Sequence, residues 1–400
     1  MTSISSLPTE LYDLIKSFLP FSDQVRFFYC RRYKFGSRLV EGKEQVEKAF
    51  KRAMEKNKVE VFQHLLRCYP SLDPSAHKNL AIRWAAGNGH VEVVKLLLTY
   101  LWVDPSDVAN EAILKASSHG HVEVVKILLA DPRVDPSANS NWAFRFASTN
   151  GHVEVVKFLL ADERVDPSVD DNYAIRKASY YGHVEVVKIL LADERVDPSA
   201  DDNDAFRWAS HYGHVEVVKI LLADERVDPS AEGNEAIRGA SCRGHVEVVK
   251  ILLADERVDP SADDNEAIRE ASYYGNVEVV KILLADERVN PSDGNNEAIK
   301  NAVRNKNLAE SDPNPKKYFN NLVKVIKILQ ADPRVLMKAV ESGNLDLVKS
   351  ILSDPSFDPS FNRNAAVRLA SRNGQREIVD LLLSDPRVSS SIRNVKRIKL

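Results

Sequence analysis

Cysteine is scarce in this 400-residue chain, and Cys30, Cys68 and Cys242 stand isolated from one another. They offer neither a disulfide framework nor the paired spacing of a zinc site, so free thiols are expected. Long apolar runs are also missing: no 18 successive apolar residues occur, so no membrane-spanning helix is expected. The opening MTSISSLPTELYDL carries Glu10 and Asp13 with no basic segment ahead of an apolar one, so it does not read as a secretory leader. A cytoplasmic location is expected. There is no phosphate-cradling G-x-x-x-x-G-K-[ST], no G-x-S-x-G, no H-E-x-x-H and no kinase signature. The chain therefore reads as a non-enzyme without cofactor or metal. An excess of positive charge is lacking too. Net charge is −3, residues 141–295 hold 31 acidic against 17 basic side chains, and only residues 387–400 reverse the sign, with five basic and no acidic ones. Such an acidic middle repels phosphate backbones, which argues against nucleic acid as a partner.

What the sequence does have is a repeat. The string G-H-V-E-V-V-K, with small changes, places its glycine at Gly89, Gly120, Gly151, Gly182, Gly213, Gly244 and Gly275, 31 residues apart each time. Diverged copies at Asn57, at Lys306 or Asn321, at Gly343 and at Gly374 bring the total to eleven units. Before each glycine lies a short helical pattern, as in Asn172–Gly182, with Asn172 as its expected N-cap. On a 100° wheel Ala174, Ile175, Ala178 and Ser179 share one arc. After the glycine, Val184–Ala192 is apolar over more than half its circumference, with Glu185 and Lys188 as a polar stripe. Neither helix can bury its apolar surface alone, so successive pairs must stack into an all-α solenoid. The connector Ala192–Asp202 holds turn residues around one apolar anchor, Val196, and Pro198. The expected organisation is a small helical module at 1–48, the array at 49–394 and a basic tail at 395–400. An insert near 308–320, including Asp312-Pro-Asn-Pro-Lys-Lys317, is expected to project as a loop, and the chain is expected to be a monomer.

The helix pair, the G-H-V-E-V-V-K-I-L-L core and the loop that follows resemble the ankyrin repeat family over roughly residues 49–390. Two departures stand out. The family's T-P-L-H turn is replaced by sequences such as Glu266-Ala-Ile-Arg269, and the period is two residues short of the usual one. The resemblance implies a protein-binding array whose β-hairpin fingers are reduced to turns.

Units 4 to 8 are near copies, and their differences fall at 9, 5, 2 and 1 positions before the glycine, on an arc opposite the core arc. Those columns hold Trp142, Phe146, Tyr173, Lys177, Tyr180, Tyr181, Trp208, His211, Tyr212, Arg243, Tyr273 and Tyr274, alongside Thr149, Asn150, Asp204, Glu235, Gly239, Cys242, Glu266 and Glu270. Ankyrin-like proteins commonly bind through this side of the first helix and the loop tips, so these residues are the expected partner contacts. Exposed Trp and Tyr suit that task by presenting large rigid area with a polar tip. Drift after duplication, or packing of the aromatics on the next unit, is the alternative. Six histidines, His90, His121, His152, His183, His214 and His245, recur one residue after the glycine and read as structural rather than as metal ligands. The repeated Arg83, Arg145, Arg176, Arg207, Arg238 and Arg269 are expected to pair with loop aspartates.

Residues 1–48 follow another pattern, with Leu7, Pro8, Glu10, Leu11, Ile15, Phe18, Leu19, Asp23, Arg26, Cys30 and Arg31. It resembles the first two-thirds of an F-box. That resemblance implies docking of a Skp-type adaptor of a cullin-RING ubiquitin ligase through Leu7, Pro8, Leu11, Ile15, Phe18 and Leu19, with a target protein held by the repeats. An N-terminal cap that merely seals the array, leaving a scaffold or decoy, is the alternative. The combination of an F-box with close-copy repeats looks like proteins of large DNA viruses of amoebae, which would imply a host cytoplasm.

Overall fold

A computed structural model describes residues 43–69, 72–310 and 316–398, in which there are 23 helices and no strand. The proposed adaptor contacts Leu7, Pro8, Leu11, Ile15, Phe18 and Leu19 lie outside the described residues. The first helix, Lys43–Glu55, pairs with Val59–Cys68 and buries Ala49, Ala53 and Met54, so the array begins before the expected boundary at 48. It ends later too: Pro386–Ile398 is a helix that packs on the preceding pair, with Val388 fully buried.

Two compact units compose the chain. One runs to Ala178 and includes Glu185–Val196; the other comprises Ser179–Val184 and Asp197 onward. Within each, the first helix of a repeat packs on the first helix of the next, and the second on the second. The core arc is as expected, with Ala174, Ile175, Ala178 and Ser179 at most 1% exposed. In the second helix Val186, Val187 and Leu190 are sealed, while Val184, Ile189 and Leu191 are only half-buried. Its polar stripe closes on itself through Lys188 and Glu185, 2.7 Å apart and exposed, a pair worth little.

The segment before each first helix departs from expectation. Asn172 does not act as an N-cap; with the two residues before it, it forms a left-handed triplet at φ +54°, +51° and +57°. Triplets of this kind recur in nine repeats, always ending in Asn: Asn79, Asn110, Asn141, Asn172, Asn203, Asn234, Asn265, Asn296 and Asn364. Asn and Asp tolerate this region better than other side chains because a short polar group can bond locally. Here the asparagine reaches further. Each of the nine is at most 8% exposed, and Asn234 Oδ1 accepts the backbone N–H of Asp259 in the next loop at 2.7 Å. Asn79 does the same for Asp104, Asn110 for Asp135, Asn203 for Asp228 and Asn265 for Asn290.

A second strut comes from the loop. Arg257 binds both oxygens of Asp255 through Nε and Nη2, at 3.0 and 2.7 Å, and donates Nη1 to the Val227 carbonyl one repeat back at 3.0 Å. The guanidinium holds the Asp255 carboxyl below the usual carboxylate range. Arg133, Arg164, Arg195, Arg288 and Arg334 repeat the arrangement, and each loop is thereby tied to its predecessor.

Of the insert near 308–320, residues 308–310 and 316–320 are helical, and Asp312-Pro-Asn-Pro, on which the expected loop rests, lies outside the described residues. Asp293–Glu310 and Lys316–Gln330 are long helices that pack on each other, burying Ala309, Leu322 and Val325, and only 311–315 fall outside the described residues. Apolar residues at helical spacing extend both elements, which a loop could not have buried.

Candidate protein-binding surface

The variable columns lie on the side of the first helix away from the core, as the wheel requires. In the first unit Trp142 and Phe146 are exposed and meet edge to face at 6.1 Å. Tyr173 lies half-buried under the Arg145 guanidinium at 4.2 Å and the Lys177 ammonium at 5.6 Å. Arg145 also pairs with the loop carboxylate of Asp170 at 2.5 Å.

The second unit holds the larger cluster. Tyr180 meets Tyr181 at 4.7 Å, Tyr212 at 4.5 Å and Trp208 at 5.6 Å, and Trp208 stacks on Tyr212 at 5.8 Å. The Tyr180 and Tyr212 hydroxyls are hydrogen-bonded at 2.9 Å. His211 sits edge-on to Trp208, and its Nε2 accepts Arg243 Nε at 3.1 Å; burial and that cation both lower its pKa. Tyr273 and Tyr274 form a separate edge-to-face pair. Beside it Glu270 is half-buried, and burial pushes its carboxyl and the Cys242 thiol up.

Some members of the arc have other roles. Asp204 is 7% exposed and faces Arg207, whose Nη1 also reaches Glu235. Arg238 joins the helix to the loop tip, bonded to Glu266 and, at 2.6 Å, to Asp263. Of the repeated arginines, Arg145 and Arg238 pair with a loop aspartate of the next repeat as expected, whereas Arg83 and Arg207 choose a helix glutamate there.

Sequence reasoning missed an apolar tip at Tyr100, Leu101 and Trp102, where Leu101 and Trp102 are 90% and 60% exposed. The signal was present. This loop alone among its near copies replaces Asp-Glu-Arg or Asp-Pro-Arg with Tyr-Leu-Trp.

The histidine column is a third strut. His245 Nε2 donates to the carbonyl of His211 at 3.0 Å, His214 to Tyr180 at 2.8 Å, and His121 to Gly87 at 3.0 Å. Asn276 replaces the histidine in its repeat and keeps the bond, to the Cys242 carbonyl at 2.8 Å. Across the insert, Asn305 and Tyr318 both reach the Tyr273 carbonyl. Among the described residues no group of His, Cys, Asp and Glu could hold a metal ion, and none of their helices is long and apolar enough to cross a membrane.

Burial lowers the pKa of His90, His121 and His245 below the ordinary 6.5. Folding then favours the neutral imidazole, so this contribution is complete above pH 6.5 and declines as pH falls through the folded pKa. The urea midpoint should be lower at pH 5.5 than at pH 7.5. An unchanged midpoint would show that the rings are not titrating against the fold.

A sequence profile described as ankyrin repeats, three copies, matches residues 50–140, 144–233 and 207–295, more than half of the chain. Among solved structures, an ankyrin repeat family protein from Legionella pneumophila matches at 16% identity, covering 98% of this chain and 93% of that chain, with a TM-score of 0.27. No curated protein matches.

Proposed function

The chain belongs to the ankyrin repeat family, a fold that mediates protein–protein interaction, and from that premise we propose that it is a non-catalytic substrate receptor. The aromatic arc holds a target protein, and the F-box-like segment at Leu7–Leu19 recruits a Skp-type adaptor of a cullin-RING ubiquitin ligase, in a host cytoplasm if the protein is viral. The observation that carries the binding reading is the Tyr180, Tyr181, Trp208 and Tyr212 cluster, four rings from two repeats gathered on the surface. Contiguous apolar patches of this kind mark interaction sites. The adaptor reading rests on sequence pattern alone, with Leu7, Pro8, Glu10 and Leu11 in F-box spacing. Its rival is a scaffold that holds the target without ubiquitin transfer.

One co-purification from a eukaryotic lysate tests both halves. Leu7→Ala with Pro8→Ala should remove the adaptor and leave the target bound. Trp208→Ala with Tyr212→Ala should remove the target, weakening it by at least ~2 kcal/mol as for interface hot spots, and leave the adaptor. Recovery of a target but never an adaptor would establish the scaffold. Retention of every target by the Trp208/Tyr212 variant would overturn the aromatic interface.

A further inference from the structure

We infer that the segment bound by the second unit is extended and cationic, with basic side chains about three residues apart. This deepens the reading of the aromatic arc as an interface and rests on it. In the tips and first helices over 201–212, 232–243 and 263–274 there are nine carboxylates and four arginines. Two of the arginines are already neutralised internally, Arg207 by Asp204 and Glu235, and Arg238 by Asp263 and Glu266. Arg243 is turned onto His211, and Arg269 lies toward Gly294, where the preceding tip carries an aspartate. The exposed carboxylates of Asp202, Glu232 and Asp264 have no ion-pair partner among the described residues. The surface is thus an acidic row along the tips, and the Arg238 bridge from Asp263 to Glu266 sets that row directly against the helix arc.

Geometry fixes the spacing. The tips repeat once per packed helix, roughly 8 to 10 Å apart, and each carries one of the carboxylates Asp202, Glu232 and Asp264. An extended chain of polyproline-II type rises about 3.1 Å per residue and returns to the same face every third residue, so every third side chain meets one tip. Aromatic faces beside the acids suit guanidinium or ammonium groups, and the first unit already shows both resting on Tyr173.

The test uses the full chain and fluorescein-labelled dodecapeptides with Arg, Glu or Ser at every third position and small polar residues elsewhere, read by anisotropy at low and moderate salt. The Arg peptide should bind at least tenfold tighter than the Ser peptide and the Glu peptide should fail. Added salt, or the triple variant Asp202→Asn, Glu232→Gln and Asp264→Asn, should weaken the Arg peptide about tenfold, with the circular dichroism spectrum of the variant unchanged. Equal binding of Ser and Arg peptides, or indifference to salt and to the triple variant, overturns the cationic segment. So does failure of every peptide while Trp208→Ala with Tyr212→Ala still releases the co-purified target; the interface then stands and its charge assignment falls. If that double variant releases nothing, both readings fall.

Discussion

Replacing Asn234 with alanine should lower the stability of the surrounding repeats by about 1.5 to 3.5 kcal/mol, well beyond the effect of an ordinary surface change. The side chain is 7% exposed, and its oxygen is the partner given to the Asp259 backbone N–H, at 2.7 Å. Asp259 itself is exposed and the bond part-buried, so its loss costs about 0.5 to 1.5 kcal/mol. Alanine at φ +62° adds about 1 to 2 kcal/mol of left-handed strain, less whatever strain asparagine already carries there. Asn234→Gly separates the two contributions, since glycine relieves the backbone while still losing the strut. Urea unfolding followed by circular dichroism should rank wild type above Asn234→Gly and Asn234→Gly above Asn234→Ala. A loss under about 0.5 kcal/mol for alanine would show that the asparagine column is an accident of duplication.

The helices were legible in the sequence because their periodicity is strong. Ala174, Ile175, Ala178 and Ser179 had to share a face, and they are buried together. The asparagine was misread because Asn before an apolar run is the usual sign of an N-cap. Its real partner lies 25 residues downstream, and no local pattern reports a bond of that range. A similar limit applied to Arg257, whose bond to Val227 is visible only after the loops stack. Copy-to-copy variation located the surface arc yet could not distinguish exposed Tyr181 from buried Asp204, because burial there is decided by the facing repeat. After the insert, the apolar spacing of Tyr318, Leu322 and Val325 marks the helix Lys316–Gln330 in the sequence itself.

The same struts explain why loss of one side chain should harm the array more than loss of a whole repeat. Leu221 is fully buried, and Leu221→Ala should cost about 2 to 5 kcal/mol, with the spread set by how far its neighbours relax into the space. Excising residues 203–233 joins Asp202 to Asn234, so the left-handed triplet is rebuilt with an identical Asp-Asp-Asn sequence. Asn234 then stands where Asn203 stood and still bonds Asp259. His245 arrives where His214 had donated to the Tyr180 carbonyl, and the same imidazole chemistry closes the junction. Gly182 imposes the same steric limit on its new neighbour as Gly213 did: a Cβ at Gly213 would come within 2.4 Å of the His245 ring, and one at Gly182 within 2.5 Å of the His214 ring. Stability in a stacked array is a sum of repeat terms and nearest-neighbour terms, and this deletion removes one of each without creating a mismatch. The shortened chain should therefore show an unchanged helical signal per residue and a cooperative transition only modestly earlier than wild type. Leu221→Ala should shift the transition more than the deletion does. Global loss of helix on deletion, alongside a mild effect of Leu221→Ala, would mean that contacts beyond the neighbouring repeat hold the fold.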